Sequence, residues 1–425
     1  MLRNTTETLA PLTQRTAECD LAPDSSHDRL RVLLMDLWCY IPYYDRYLYE
    51  GLAGENVDVT LGSVCPYQDP KYFARNGLCN DPGLVDVVPK LGIRNDNLRR
   101  ALMLVECCIN MVALLVRFAV SKPDIVHVQW IPMVRELPFE MWFLRLVRSL
   151  GIKLVYTVHN VLPHDTEKEF VQVFRRVYAE MDALICHADE AKSQLVREFS
   201  VDPGRVWVIP HGPLFHDTKR LSREEARAAL SLPKGETLVL WQGIIRPYKG
   251  LDFLLYGWRR IAASSLNARL IIAGTGEPRL LQEIRDQVAQ LGLEDSVRLD
   301  LRFIPDEELP TYYQASDILV YPYKAVTSSG ALMTAMAFQK AIVATKLPAF
   351  QEVLKDRETA LLVDYGDFEA LASSLRSLIQ EPKERERLAF GMVALDGFNS
   401  WSRIAKRTRQ CYASVLQGTR QEALS

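Results

Sequence analysis

The sequence predicts two α/β domains, each a doubly wound parallel sheet with helices on both faces, set opposite one another across a cleft. Three observations lead there. Short runs rich in Val, Ile and Leu alternate with amphipathic stretches. The alternation halts at a charged connector and then restarts. Loops rich in Gly, Ser, His and Lys follow several of the apolar runs. Unbroken apolar strands belong to parallel sheets buried on both faces. Strand–helix–strand repeats imply right-handed crossovers.

In order, Arg31–Trp38 (RVLLMDLW) reads as the first buried strand. Val57–Val64, Asp124–Trp130, Lys153–Asn160, Ala183–Ala188 and Val206–Gly212 follow, with helices such as Pro138–Leu150 and Thr166–Met181 between them. Lys219–Glu236 is charged, helix-forming and flanked by Pro233 and Gly235, as a connector would be. The second series is Thr237–Gly243, Ala268–Gly274, Val297–Ile304, Ile318–Tyr323, Ala341–Thr345 and Ala360–Val363. Helices Phe368–Gln380 and Pro382–Val393 close it, and Trp401–Leu416 is a last helix. The expected organisation is a disordered polar tail (1–28), a first domain (29–215), a second domain (216–398) and a terminal segment (399–425) packing back on the first domain. The tail lacks the apolar segment of a signal peptide.

The chain has 425 residues, a formal net charge of −2 and 48% hydrophobic residues. There is no basic excess of the kind that marks a nucleic-acid binder, so that class of partner is not expected. Eight cysteines form no CxxC pair, which points to free thiols in a reducing, cytoplasmic setting. The apolar stretch Ala101–Val120 includes Glu106, Asn110 and Arg117, which are expensive inside a bilayer. It reads as a core helix, with a membrane-surface helix as the alternative and a full membrane span as the third option.

The motifs sit just after strands, where open parallel sheets bind ligands. In Gly243–Gly250 (GIIRPYKG), Arg246 and Lys249 come between a strand end and a helix start. Two cations beside helix-terminal N–H groups suit a diphosphate. In Tyr321–Ala337, Thr327, Ser328, Ser329 and Gly330 precede a helix. Small residues there let amides approach an anion, and a serine there also caps the helix. AGTGE places Gly274 and Glu277 after another strand. In the first domain, TVHNVLPHD supplies His159, His164 and Asp165 as proton-transfer candidates. His211 in PHGP also follows a strand. Tyr43, Tyr44 and Tyr47 offer stacking surfaces or core packing. No Cys, His and carboxylate cluster has metal-ligand spacing, so neither a metal nor a cofactor is expected.

Together these residues resemble a GT-B glycosyltransferase, and are most similar to glycosyltransferase family 4, from about Arg31 to about Leu416. The resemblance rests on GIIRPYKGLDFLL, IIAGTGE, DILVYP, GALMTAMAFQKAIVAT, VIPHGP and SWSRIAKRTRQCY. It implies that Arg246 and Lys249, with Ser328, Ser329 and Gly330, neutralise a donor diphosphate without a metal. Gly243, Gly274, Glu277, Thr334 and Glu352 would lie near the nucleotide or sugar. His159 would contact the transferred sugar. The sequence departs from the family where it usually has two glutamates: Val326 and Thr334 stand there. VHNVLPHD and the serine–glycine loop resemble divergent bacterial exopolysaccharide transferases.

The implied function is transfer of a hexose from a UDP- or GDP-sugar to a saccharide or lipid-linked acceptor, with peripheral contact at the cytoplasmic membrane face. The alternatives are a non-catalytic sugar-nucleotide-binding subunit and a sugar-nucleotide epimerase of the same fold.

Overall fold

The computed structural model describes residues 29–67, 69–78, 80–81, 83–93, 95–132, 139–161, 170–215, 219–262, 267–326, 329–396 and 400–422. The expected disordered tail, 1–28, lies outside them.

Two six-stranded parallel sheets form the frame. The first holds β1 (Leu30–Asp36), β2 (Val57–Ser63), β3 (Ile125–Val128), β4 (Lys153–Val158), β5 (Ala183–Cys186) and β6 (Val206–Val208), in the order β2-β1-β3-β4-β5-β6. The second holds β7 (Thr237–Gln242), β8 (Ala268–Gly274), β9 (Val297–Leu301), β10 (Ile318–Tyr321), β11 (Ala341–Thr345) and β12 (Leu361–Val363), in the order β12-β11-β10-β7-β8-β9. Each expected strand is present, several of them ending one to four residues early. The early ends fall where the chain leaves the sheet for a loop at the strand's carboxyl end, as at Gly243 and Pro322.

Period-two alternation divides the first sheet between two cores. Leu33 and Met35 face one side; Val32 and Leu34 face the other. The second side is covered by helices Pro42–Gly54 and Trp401–Glu422. The chain therefore returns from the second domain to finish the core of the first. Trp401 Nε1 donates to the Pro213 carbonyl at 2.7 Å, tying this last helix to the crossover between domains.

Helix Asp96–Val120 covers the other side with Cys107, Met111, Leu114 and Phe118. Its polar residues are satisfied inside. Glu106 accepts the amides of Val87 (2.7 Å) and Val88 (3.1 Å), and Asn110 exchanges two hydrogen bonds with Val85. The expectation of a core helix describes this face; its opposite face is exposed.

In each sheet the strand order reverses once, between β1 and β3 and between β7 and β10. Crevices form at the carboxyl ends of strands at such switch points. The two crevices face each other.

Candidate functional site

A cavity of about 590 Å3 lies between the domains. The first domain contributes Trp38, Tyr40 and Tyr43, just beyond β1; the second contributes Gln242, Gly243, Gly274 and Thr275, beyond β7 and β8. Gly274 has φ +149°, and a Cβ on it would lie 1.9 Å from the Gly243 carbonyl oxygen. Only glycine allows the ends of β7 and β8 to approach this closely.

Behind Gly243 stands Lys249. A Cβ on Gly243 would come within 2.7 Å of the Lys249 Nζ, so the glycine leaves the ammonium uncovered. The ammonium faces the rings of Tyr323 (5.5 Å) and Trp241 (5.9 Å). Among the described residues it has no hydrogen-bond or ion-pair partner. Burial, and then the charge of Arg246, draw its pKa down to about 8. A partly buried cation set against aromatic faces is suited to pairing with an anion. Arg246 is nearer the surface, where its guanidinium meets Glu277 at 3.0 Å.

The turn Arg246–Gly250 is pressed against the end of β10. Gly250 has φ +67°, and a Cβ there would overlap the Pro322 carbonyl. This contact brings the Lys249 turn beside the loop that opens helix Gly330–Ala337. Ser329 faces the Tyr323 hydroxyl and caps that helix by accepting the Leu332 amide at 3.2 Å. The first amides of a helix have no intrahelical acceptors and favour an anion in front of them.

A cluster of imidazoles faces this helix start from the first domain. A Cβ on Gly330 would lie 3.1 Å from His211 Nε2. His211 Nδ1 donates to the Gly212 carbonyl (2.6 Å), which leaves Nε2 as an acceptor toward the cleft. His187 Nδ1 donates to the Ile209 carbonyl (3.0 Å), so its Nε2 accepts from His159 Nδ1 (3.2 Å). His159 Nε2 then carries a lone pair facing the Gln129 side chain at 3.3 Å. Among the described residues the Gln129 amide nitrogen is buried without a partner, and a half-turn of that amide satisfies both groups. Burial lowers His187 to about 4 and His211 to about 3, and drives His159 well below its usual value. The cluster is therefore neutral at pH 7.

The sequence-derived candidates take different places. Gly243, Gly274 and Thr334 line the cavity. Thr334 uses its hydroxyl internally, donating to the Gly330 carbonyl (2.8 Å) and accepting the Leu214 amide (3.2 Å). At this glutamate position of the family, the side chain ties the helix to the interdomain crossover. Lys249 stands behind Gly243, and Gly330 meets His211 across the domain boundary. Glu277 reaches the site only through Arg246. Glu352 does not line the cavity; it crosses the domain boundary and accepts the amides of Asp189 and Glu190, each at 2.9 Å. These amides open helix Asp189–Phe199, so Glu352 caps it from the other domain. His164, Asp165, Thr327 and Ser328 lie outside the described residues. Tyr44 and Tyr47 are buried, leaving Tyr43 as the one of the three that lines the cavity.

Several cavity residues escape the sequence reading. Asp306, after β9, has one carboxylate oxygen buried without a partner among the described residues. Burial raises its pKa to about 6, against the pull of the neighbouring Tyr43 hydroxyl. The strand-end rule that singles out Gly274 applies equally to this loop (FIPDEE). Tyr40 stacks on Trp130, with centroids 4.8 Å apart, and Trp38 adjoins it at 6.1 Å. Trp38 and Tyr40 line the cavity on the first-domain side, with Trp130 stacked against Tyr40.

The family model described as Glycosyltransferase Family 4 matches residues 44–212, and that described as Glycosyl transferases group 1 matches residues 236–381. A D-inositol 3-phosphate glycosyltransferase from Thermomonospora curvata is 28% identical over 288 residues, covering 62% of this chain and 67% of that protein. Among solved structures, sucrose-phosphate synthase from Thermosynechococcus elongatus superposes with a TM-score of 0.72 at 20% identity, over 92% of this chain and 100% of that one. Anabaena Alr3699/HepE in complex with UDP-glucose gives a TM-score of 0.72 at 14% identity, over 91% of this chain and 100% of that one.

Proposed function

The chain belongs to the GT-B glycosyltransferases, family 4 in its first domain and group 1 in its second, and on that footing we propose that it transfers a hexose from a UDP- or GDP-sugar to a saccharide or lipid-linked acceptor in cytoplasmic polysaccharide or glycoconjugate synthesis. One observation carries the donor assignment. The Lys249 ammonium lacks a counter-ion among the described residues, stands behind Gly243, and faces the ring of Tyr323, whose strand end leads into the Ser329–Gly330 helix start. A pyrophosphate there would meet that ammonium, the Arg246 guanidinium and helix amides. HepE, which shares the fold, was crystallised with UDP-glucose, and this supports a uridine donor.

In the reaction, the bond from the anomeric carbon to the β-phosphate oxygen breaks, and its electron pair stays on that oxygen. Fixed cations and amides meet the growing charge, which is the largest contribution such a site can make. No metal is required for this part of the chemistry. The acceptor hydroxyl forms the new bond to the anomeric carbon. Its proton passes to the leaving phosphate oxygen or to Asp306. Trp38 and Tyr40 supply cavity faces on which a sugar acceptor stacks.

The test is a thermal-shift screen of nucleoside diphosphates, followed by donor-consumption assays with and without chelator. UDP or GDP should raise the melting temperature. Donor turnover should persist with chelator present. Absence of a shift with every diphosphate would refute the donor site.

A further inference from the structure

Helix Asp96–Val120 buries only one of its sides. On the other, Val105, Ile109, Val112, Val116 and Val120 are exposed, from 48% at Ile109 and Val112 to 89% at Val120. Their spacing of four, three, four and four residues puts them on one stripe. Ala101 and Ala119, also exposed, extend it to ~28 Å at 1.5 Å per residue. No polar residue interrupts the stripe between them. Val87 is half-exposed on the segment held by Glu106, and Trp142 is half-exposed on the neighbouring helix Phe139–Ser149. Soluble proteins rarely leave so continuous an apolar surface uncovered.

The charge pattern identifies what covers it. Between Asn97 and Lys122 the only acid is Glu106, which is buried and occupied by two amides. Exposed cations stand at the two ends: Arg100, turned from the stripe toward the cleft, and Lys122, whose ammonium also donates to the Leu150 carbonyl at 3.0 Å. An apolar ribbon with basic ends matches the boundary between acyl chains and anionic headgroups. The helix is not free to span a bilayer, because its inner side is fixed to the core and to the loop at Val85–Val88. It can only lie flat.

We propose that this face of the first domain docks on an anionic lipid surface. Arg99, Arg100 and Met103, at the start of the same helix, line the cleft. Docking therefore sets the cleft mouth at headgroup level, where a lipid-anchored acceptor could enter without leaving the bilayer. That consequence rests on the transferase reading; the docking itself does not.

Flotation of the full chain with phosphatidylcholine vesicles, with and without phosphatidylglycerol, tests the proposal. The chain should float with the anionic vesicles and be released by salt. Val112→Glu with Val116→Glu should lower binding by roughly tenfold or more. Both positions are exposed, so the melting temperature should hold; the milder Val112→Asn with Val116→Asn pair serves if it does not. The proposal fails if the wild type binds neither vesicle, or if both variants bind as it does. It also fails if the stripe instead holds a dimer that the glutamates dissociate, which would assign this face to a second copy. A UDP thermal shift on the same samples separates the two readings. Flotation without a UDP response leaves docking standing and counts against the donor site; a UDP response without flotation does the reverse.

Discussion

Arg246 is joined to Glu277 by an ion pair of 3.0 Å, while Lys249, three residues on, has no such partner among the described residues. The exposed pair contributes little to stability, at most about 1 kcal/mol. Its effect is to aim the guanidinium across the strand ends. Arg246→Ala should weaken UDP binding by about tenfold or more, as expected for a lost charge-assisted contact. Glu277→Gln should weaken it only about two- to fivefold, because the arginine stays and is merely less well held. Equal losses in a titration would show that Glu277 itself touches the nucleotide.

The lowered pKa of Lys249, about 8 against 10.5, fixes two pH trends. Between those values the unfolded chain binds more protons than the folded one, so the stability of the empty protein rises with pH through that window. Lys249→Met should remove the rise in a series of denaturant melts. Diphosphate binding runs the other way: it needs the ammonium and should fall as pH climbs past about 8. Lys249→Arg should flatten that fall, if the larger head is accommodated. Affinity constant to a pH well above 9 in the wild type would argue against direct contact.

Asp306 has a raised pKa of about 6, with burial as the main cause. If its carboxylate receives the acceptor proton, the transfer rate should drop as pH falls through about 6. Asp306→Asn should then lose about 100-fold or more in kcat and abolish that acid limb, in the range of general-base catalysis. A variant within a few-fold of wild type would send the proton to the leaving phosphate.

Trp401 joins the two ends of the molecule. It is buried, stacks on Tyr47 at 5.5 Å and bonds to the Pro213 carbonyl. Trp401→Ala should destabilise the protein by about 3–5 kcal/mol, as large aromatic truncations in cores do. Chemical denaturation is the measurement. A change below about 1 kcal/mol would mean that the terminal helix is not integral to the first domain's core.

Much of the frame was legible in the sequence because buried parallel strands are written locally, as unbroken apolar runs. The loop carrying Arg246 and Lys249 was legible for the same reason: it follows such a run directly. What local sequence does not carry is pairing across the cleft. Glu352 looks like one more acidic strand-end residue, yet its partners are amides more than 160 residues away. Thr334 stands where the family has a carboxylate, but its hydroxyl is committed to Gly330 and Leu214. Tyr40 and Trp130 meet only because β1 and β3 are neighbours in the sheet. The long apolar helix has the composition of a core element, and nothing in its sequence says that only one side is covered.

Isothermal titration of UDP into the wild type and Lys249→Ala, at a pH below 8, tests the diphosphate site most directly. Measurable binding by the wild type is expected, with a loss of about 10- to 100-fold in the variant, the size of one or two charge-assisted hydrogen bonds. Binding by Lys249→Ala as tight as that of the wild type would contradict it.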